Sequence, residues 1–180
     1  MEQPVDSVND SAFSRLLRPS WFFWFCVFFF VSVTVYRGGN GQTFWVDEIY
    51  SLQLVYLPFE EMVRKCQADV HPPLFYILLE AWIRLLDFVG LGRGILQGRS
   101  LSAVVTIAGL LASRPLLAAI FRRTESDEGR AVFKANIIPG VILLTPTFAD
   151  AGTDMRNYAV SFVCVFLGYL ILMVQTVTRR

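Results

Sequence analysis

The chain alternates long apolar runs with shorter polar stretches, and the spacing of the apolar positions separates two kinds of helix. Apolar residues fill Trp21–Tyr36, Arg99–Ile120, Val132–Ala149 and Tyr158–Val177 with few interruptions. Such runs predict helices that are hydrophobic all round, the pattern of a membrane span rather than of a half-buried surface helix. The first run is short for a hydrocarbon core of roughly 30 Å, but Leu16, Leu17 and a snorkelling Arg18 extend it to a span over 16–36. It is followed by Arg37-Gly38-Gly39-Asn40 with no small-x-small cleavage site, so it reads as an uncleaved signal anchor.

Residues 37–98 follow another rule. In Asp47–Tyr56 the residues Ile49, Leu52 and Val55 recur at helical spacing. After Pro58, the residues Phe59, Met62, Val63 and Cys66 line one face, opposite Glu60, Glu61, Arg64 and Lys65. Both patterns predict short amphipathic helices lying on a membrane surface or folded against it. Pro72–Val89 is ambiguous. It is long enough to span, yet Glu80, Arg84 and Asp87 form one polar stripe with i,i+4 and i,i+3 pairing. If it stays in the outer interface, Arg15/Arg18, Arg122/Arg123/Arg130 and Arg179/Arg180 all fall on the cytoplasmic side, as the positive-inside rule asks. The expected fold is therefore an all-α integral membrane protein of about four transmembrane helices, with amphipathic helices of the first outer loop lying along the membrane surface. Its parts are a cytoplasmic tail over 1–15, spans over 16–36, 99–120, 132–149 and 158–177, and an outer loop over 37–98.

Composition agrees with that pattern. Of 180 residues, 54% are hydrophobic and 17% charged, where a soluble domain carries about 45–50% and about a quarter. This excludes disorder, collagen and coiled coil. A net charge of +1 gives no electrostatic case for nucleic acid. Cys26 and Cys164 lie inside apolar runs, so the three cysteines make no disulfide framework. Zinc-ligand spacing, a nucleophile elbow and a nucleotide-binding glycine loop are all missing from the sequence.

Under the expected topology, residues 37–98 and 150–157 share the outer side and hold most of the unusual polar residues. Asp47-Glu48 opens a helix, where carboxylates suit the macrodipole; adjacent acids there also suit a general base or a cation site. The single histidine, His71, stands between Asp69 and Pro72-Pro73, as a structural residue or a ligand. Arg99 and Arg156 are either anchors that snorkel to headgroups or forks for phosphate oxygens.

Four stretches, in order, carry a resemblance: Trp45-Val-Asp-Glu-Ile-Tyr-Ser51, Asp69-Val-His-Pro-Pro-Leu-Phe-Tyr76, Arg99-Ser-Leu-Ser102 and Asp154-Met-Arg-Asn-Tyr-Ala-Val160. They resemble landmarks of membrane-embedded C-type glycosyltransferases, in particular the bacterial relatives of protein O-mannosyltransferases and of enzymes that decorate lipopolysaccharide. The resemblance implies inverting transfer of a sugar from a polyprenyl-phosphate donor to a hydroxyl of a lipid, glycan or protein acceptor. The reaction would take place at the outward face of a bacterial cytoplasmic membrane. By the same resemblance Asp47 is the base or a metal-side carboxylate, supported by Glu48. Asp69 and His71 lie near the site and share, with Asp47, any divalent-metal shell, and His71 is also placed beside the substrate. Arg99 and Arg156 hold the lipid-linked phosphate, with Tyr158 completing the last motif. Asp154 stands where relatives commonly have Glu. Relatives are also much longer, so the chain corresponds to the N-terminal part of such a module, with a partner chain expected to supply further spans. The alternative is a non-catalytic truncated paralogue or accessory subunit that binds a lipid carrier or a full-length partner.

Overall fold

The computed structural model describes residues 21–39, 45–68, 73–146, 154–155 and 157–178. Among them are seven helices and no strand. They are α1 (Trp21–Gly39), α2 (Val46–Val55), α3 (Phe59–Ala68), α4 (Pro73–Phe88), α5 (Ile95–Thr124), α6 (Glu128–Leu144) and α7 (Tyr158–Thr178). Two of the described helices, Ile95–Thr124 and Tyr158–Val177, are long and apolar enough to cross a membrane, and Trp21–Tyr36 is a shorter apolar helix.

The helix α5 is the post on which the others are hung. Its 30 residues make it about 45 Å long, and α1, α2, α4, α6 and α7 all pack on it. Gly98, Ser102, Thr106 and Gly109 are small buried residues of α5, with Gly109 against Val163 of α7 and Gly98 against Met155 just before it. At Gly109 a Cβ would lie 2.4 Å from Val163 Cγ2, so only glycine lets the two backbones come this close. A Gly109→Leu variant is expected to lose about 1–3 kcal/mol through overpacking. Gly168→Ala, at an exposed point of α7 where an added Cβ meets nothing within 4 Å, should be neutral or slightly stabilising. Thermal unfolding in detergent separates the two, and equal effects would argue against the tight α5–α7 contact.

Three apolar clusters follow from this arrangement. Phe23, Cys26, Val27 and Phe30 line one face of α1 and meet Leu110 of α5 and Leu143 of α6. Further along, Leu117 and Ala118 meet Ala135 and Leu170. At the other end of α5, Leu101 joins Leu54, Met62, Cys66, Phe75, Leu79 and Met155, so the short helices α2–α4 and the segment before α7 share one core.

Within that third cluster the local patterns are kept only in part. Met62 and Cys66 of α3 are buried as the spacing predicts, and their apolar face is used on α4. In α2 the buried residues are Glu48, Ser51, Leu54 and Val55, while Ile49 is exposed. The helix is thus rotated by about one residue from the expected Ile49–Leu52–Val55 face, because Glu48 turns inward to a partner described below. In α4, Phe75, Tyr76, Leu79 and Ile83 face the core, yet Leu74, Leu78, Leu85 and Phe88 on the other side are exposed. The expected polar stripe is divided. Glu80 pairs with Arg84 on the helix, whereas Asp87 turns to Arg93 at 2.6 Å. Gly90 and Gly92, at φ 83° and 76°, bend the chain back to make that second pair possible.

Candidate functional site

The site forms where the sequence puts a carboxylate into the first turn of α2. Trp45 is extended and precedes the helix, and its carbonyl accepts the Glu48 N–H at 2.9 Å. Glu48 is the third residue of the helix, so its side chain reaches back to the Trp45 N–H, with Oε2 accepting at 3.4 Å. This is one half of a capping box. The other partners come from far away in the chain. Arg99 Nε donates to Glu48 Oε1 at 2.8 Å and Nη2 donates to Oε2 at 2.7 Å. The Met155 N–H donates to Oε1 at 3.1 Å.

Glu48 is fully buried. Burial alone pushes its carboxyl up, but the Arg99 fork, the Met155 N–H and the Trp45 N–H together outweigh it and hold it below its ordinary value. The group is therefore ionised at neutral pH and forms a bidentate, charge-assisted pair. Arg99 is buried as well, at the start of α5, and the Asp154 carboxylate adds to the negative field around it.

Asp47, the preceding residue, faces the other way and is exposed in the first turn, where the helix macrodipole favours it. Its carbonyl oxygen accepts the Ser51 hydroxyl at 2.8 Å, which fixes the start of α2. Tyr158 opens α7 and is exposed. Among the landmark residues, then, Glu48, Arg99, Asp154 and Met155 meet at one end of α5, while Asp47 is exposed beside them in the first turn of α2. Asp69, His71 and Arg156 lie outside the described residues. Among the described residues no group of three His, Cys, Asp or Glu side chains is gathered as a metal site would need.

Elsewhere, α1, α4 and α5 line an open apolar groove of about 410 Å³, with Val31, Val35, Leu86, Leu96, Val104 and Ile107 among its walls. Its polar rim is tied off internally. The Trp82 indole N–H is shared between the Gln97 carbonyl at 3.1 Å and Ser100 Oγ at 2.9 Å, and the Ser100 hydroxyl itself donates to Gln97 O at 2.6 Å.

A second buried cation escaped the sequence reading. Arg114, inside α5, is buried; its Nε donates to Asn136 Oδ1 at 2.7 Å and its guanidinium lies 5.2 Å from the Phe23 ring centroid. Asn136 is in turn satisfied by donating to Val132 O at 2.8 Å. The available signal was an arginine and an asparagine in successive apolar runs, a placement that demands a mutual partner.

No known protein family, curated protein or solved structure compared with the chain matches it.

Proposed function

We propose that the chain is a membrane-embedded glycosyltransferase module, or part of one, that moves a sugar from a polyprenyl-phosphate donor to an acceptor hydroxyl with inversion. The observation that carries this reading is the meeting of three separate landmark stretches around one buried ion pair, Glu48–Arg99, next to the exposed Asp47. In this reading spans over 16–36, 99–120, 132–149 and 158–177 cross a bacterial cytoplasmic membrane. The cluster around Glu48 faces outward, and α4 lies in the outer interface. The apolar length of α5 and α7 supports it, as do the exposed Leu74, Leu78, Leu85 and Phe88 of α4, which suit contact with lipid.

Asp47 takes the proton of the attacking hydroxyl as a new bond forms to the sugar's anomeric carbon. The bond from that carbon to the phosphate oxygen breaks, and its electron pair leaves with the lipid phosphate. Because Glu48 takes the Nε–Nη2 edge of Arg99, holding the phosphate is assigned chiefly to Arg156, with Arg99 contributing positive field. In the metal-side role instead, Asp47 would hold a divalent metal with Asp69 and His71, and the metal when bound would neutralise charge on the phosphate. The groove of about 410 Å³ suits a hydrocarbon chain of the donor.

The test is transfer from radiolabelled polyprenyl-phosphate sugars to lipid, glycan or protein acceptors by the chain in proteoliposomes, alone and with any chain that co-purifies. Transfer that is lost in Asp47→Asn supports the reading. Retained binding of polyprenyl phosphate without transfer, and with Asp47 dispensable, supports the non-catalytic alternative.

A further inference from the structure

Asp154 and Met155 precede α7 and are tied to the body of the protein at two points. The first is the Met155 N–H to Glu48 Oε1, at 3.1 Å. The second is the side chain. Met155 is fully buried and belongs to the core shared by α2, α3, α4 and α5. Its sulfur occupies the notch left by Gly98, where a Cβ would lie 2.0 Å from Sδ and 3.1 Å from Cγ.

We infer that Met155 is a positioning residue: it plugs the Gly98 notch and so docks the segment before α7 onto α2 and α5 at the Glu48–Arg99 pair. The physical reasons are independent of one another. A flexible thioether adapts to an irregular gap and fills its volume. The amide bond to a buried, ionised carboxylate is charge-assisted, so it fixes the backbone as firmly as the side chain fixes the plug. Glu48 thereby joins three chain segments: its own helix start through Trp45, α5 through Arg99, and the α7 approach through Met155. The docking keeps Asp154 in the field of Arg99. It stands apart from any reaction; only its use in shaping a donor site rests on the sugar-transfer reading.

Hydrogen exchange of the full chain in detergent or nanodiscs, read on peptides covering 154–160, tests it. Met155→Ala should speed exchange there on the order of tenfold or more, while peptides of the α1–α6 contact stay unchanged. Gly98→Ala should do the same by expelling the thioether, and Met155→Leu, which conserves volume, should restore protection. The double variant Gly98→Ala/Met155→Ala should exchange no faster than Met155→Ala alone, since the added methyl then has room. Unchanged exchange in Met155→Ala, or additive acceleration in the double variant, would overturn the docking. If the chain transfers sugar, Met155→Ala should raise KM for the polyprenyl donor with kcat kept, and Met155→Leu should reverse it. Absence of transfer in the parent chain defeats the sugar-transfer reading and leaves the exchange result to decide the docking.

Discussion

Replacing Glu48 with methionine should cost about 3–5 kcal/mol, because it strands the Arg99 guanidinium in the interior without its counter-charge. Arg99→Met should cost a similar amount by stranding the carboxylate. The double variant Glu48→Met/Arg99→Met should recover much of the loss, since apolar groups of similar volume need no partner. Thermal unfolding of the four proteins in one detergent closes the cycle, and additive losses would show that the two side chains are not a coupled pair. The pH dependence gives a second, signed check. The carboxyl of Glu48 is held below its ordinary value of about 4.5. Its contribution is therefore complete above that value and disappears as pH falls through the lowered folded value. In Arg99→Met the fork that lowers the carboxyl is gone, while burial, the largest single influence, is opposed only by the Met155 and Trp45 N–H groups, so the carboxyl rises relative to the parent. The loss of stability on acidification should therefore be smaller in this variant than in the parent. Parallel slopes for the two proteins would contradict the pairing.

Hydropathy patterning located the apolar helices because their pattern depends on composition along one segment. The run at Trp21–Tyr36 and the one ending at Val177 both coincide with helices that are apolar on nearly every side. The amphipathic reading held in α3 for Met62, Cys66 and the partly buried Val63, but not for Phe59, which is exposed. In α2 it held for Leu52 and Val55, which pack in or against the core, and missed at Ile49 for a reason no local window contains. The residue that rotates the helix is Arg99, separated from Glu48 by 51 positions, and a buried ion pair outweighs the modest gain from covering Ile49. The division of the α4 stripe has a similar origin, since Arg93 lies beyond a turn made by two left-handed glycines. Arg114 went unnoticed because an arginine within an apolar run looks like an interruption until its acceptor, Asn136 on the neighbouring helix, is known. For the site, Glu48 and Arg99 were named from the sequence as separate functional candidates. What the sequence lacked was their mutual commitment, and with it the role of Met155, a residue whose chemistry attracts no attention until Gly98 is found beneath it.

If the chain transfers sugar with Asp47 as its base, the second large effect is separable from the first, because Glu48 is buried and Asp47 is exposed. Asp47→Asn should lower sugar transfer by about 10²–10⁴-fold, the usual worth of a positioned general base, while changing stability by less than about 1 kcal/mol. The small structural effect follows from exposure and shape: asparagine is nearly isosteric with aspartate, and an exposed carboxylate in the first turn of α2 is worth about 0.3–1 kcal/mol against the macrodipole. The Glu48–Arg99 fork and the Ser51 bond to the Asp47 carbonyl do not involve the altered side chain and should continue to hold the helix start. Asp47→Glu keeps the base but extends its reach, so it should retain part of the transfer; Asp47→Asn should retain none of that part. If Asp47 serves only the helix dipole, the order changes. Asparagine, a good residue near helix starts, would then leave both stability and transfer close to the parent. A kcat measured for the three proteins, beside their unfolding midpoints, distinguishes the base from the cap, since losing a base lowers kcat by orders of magnitude and losing a cap leaves it near the parent value.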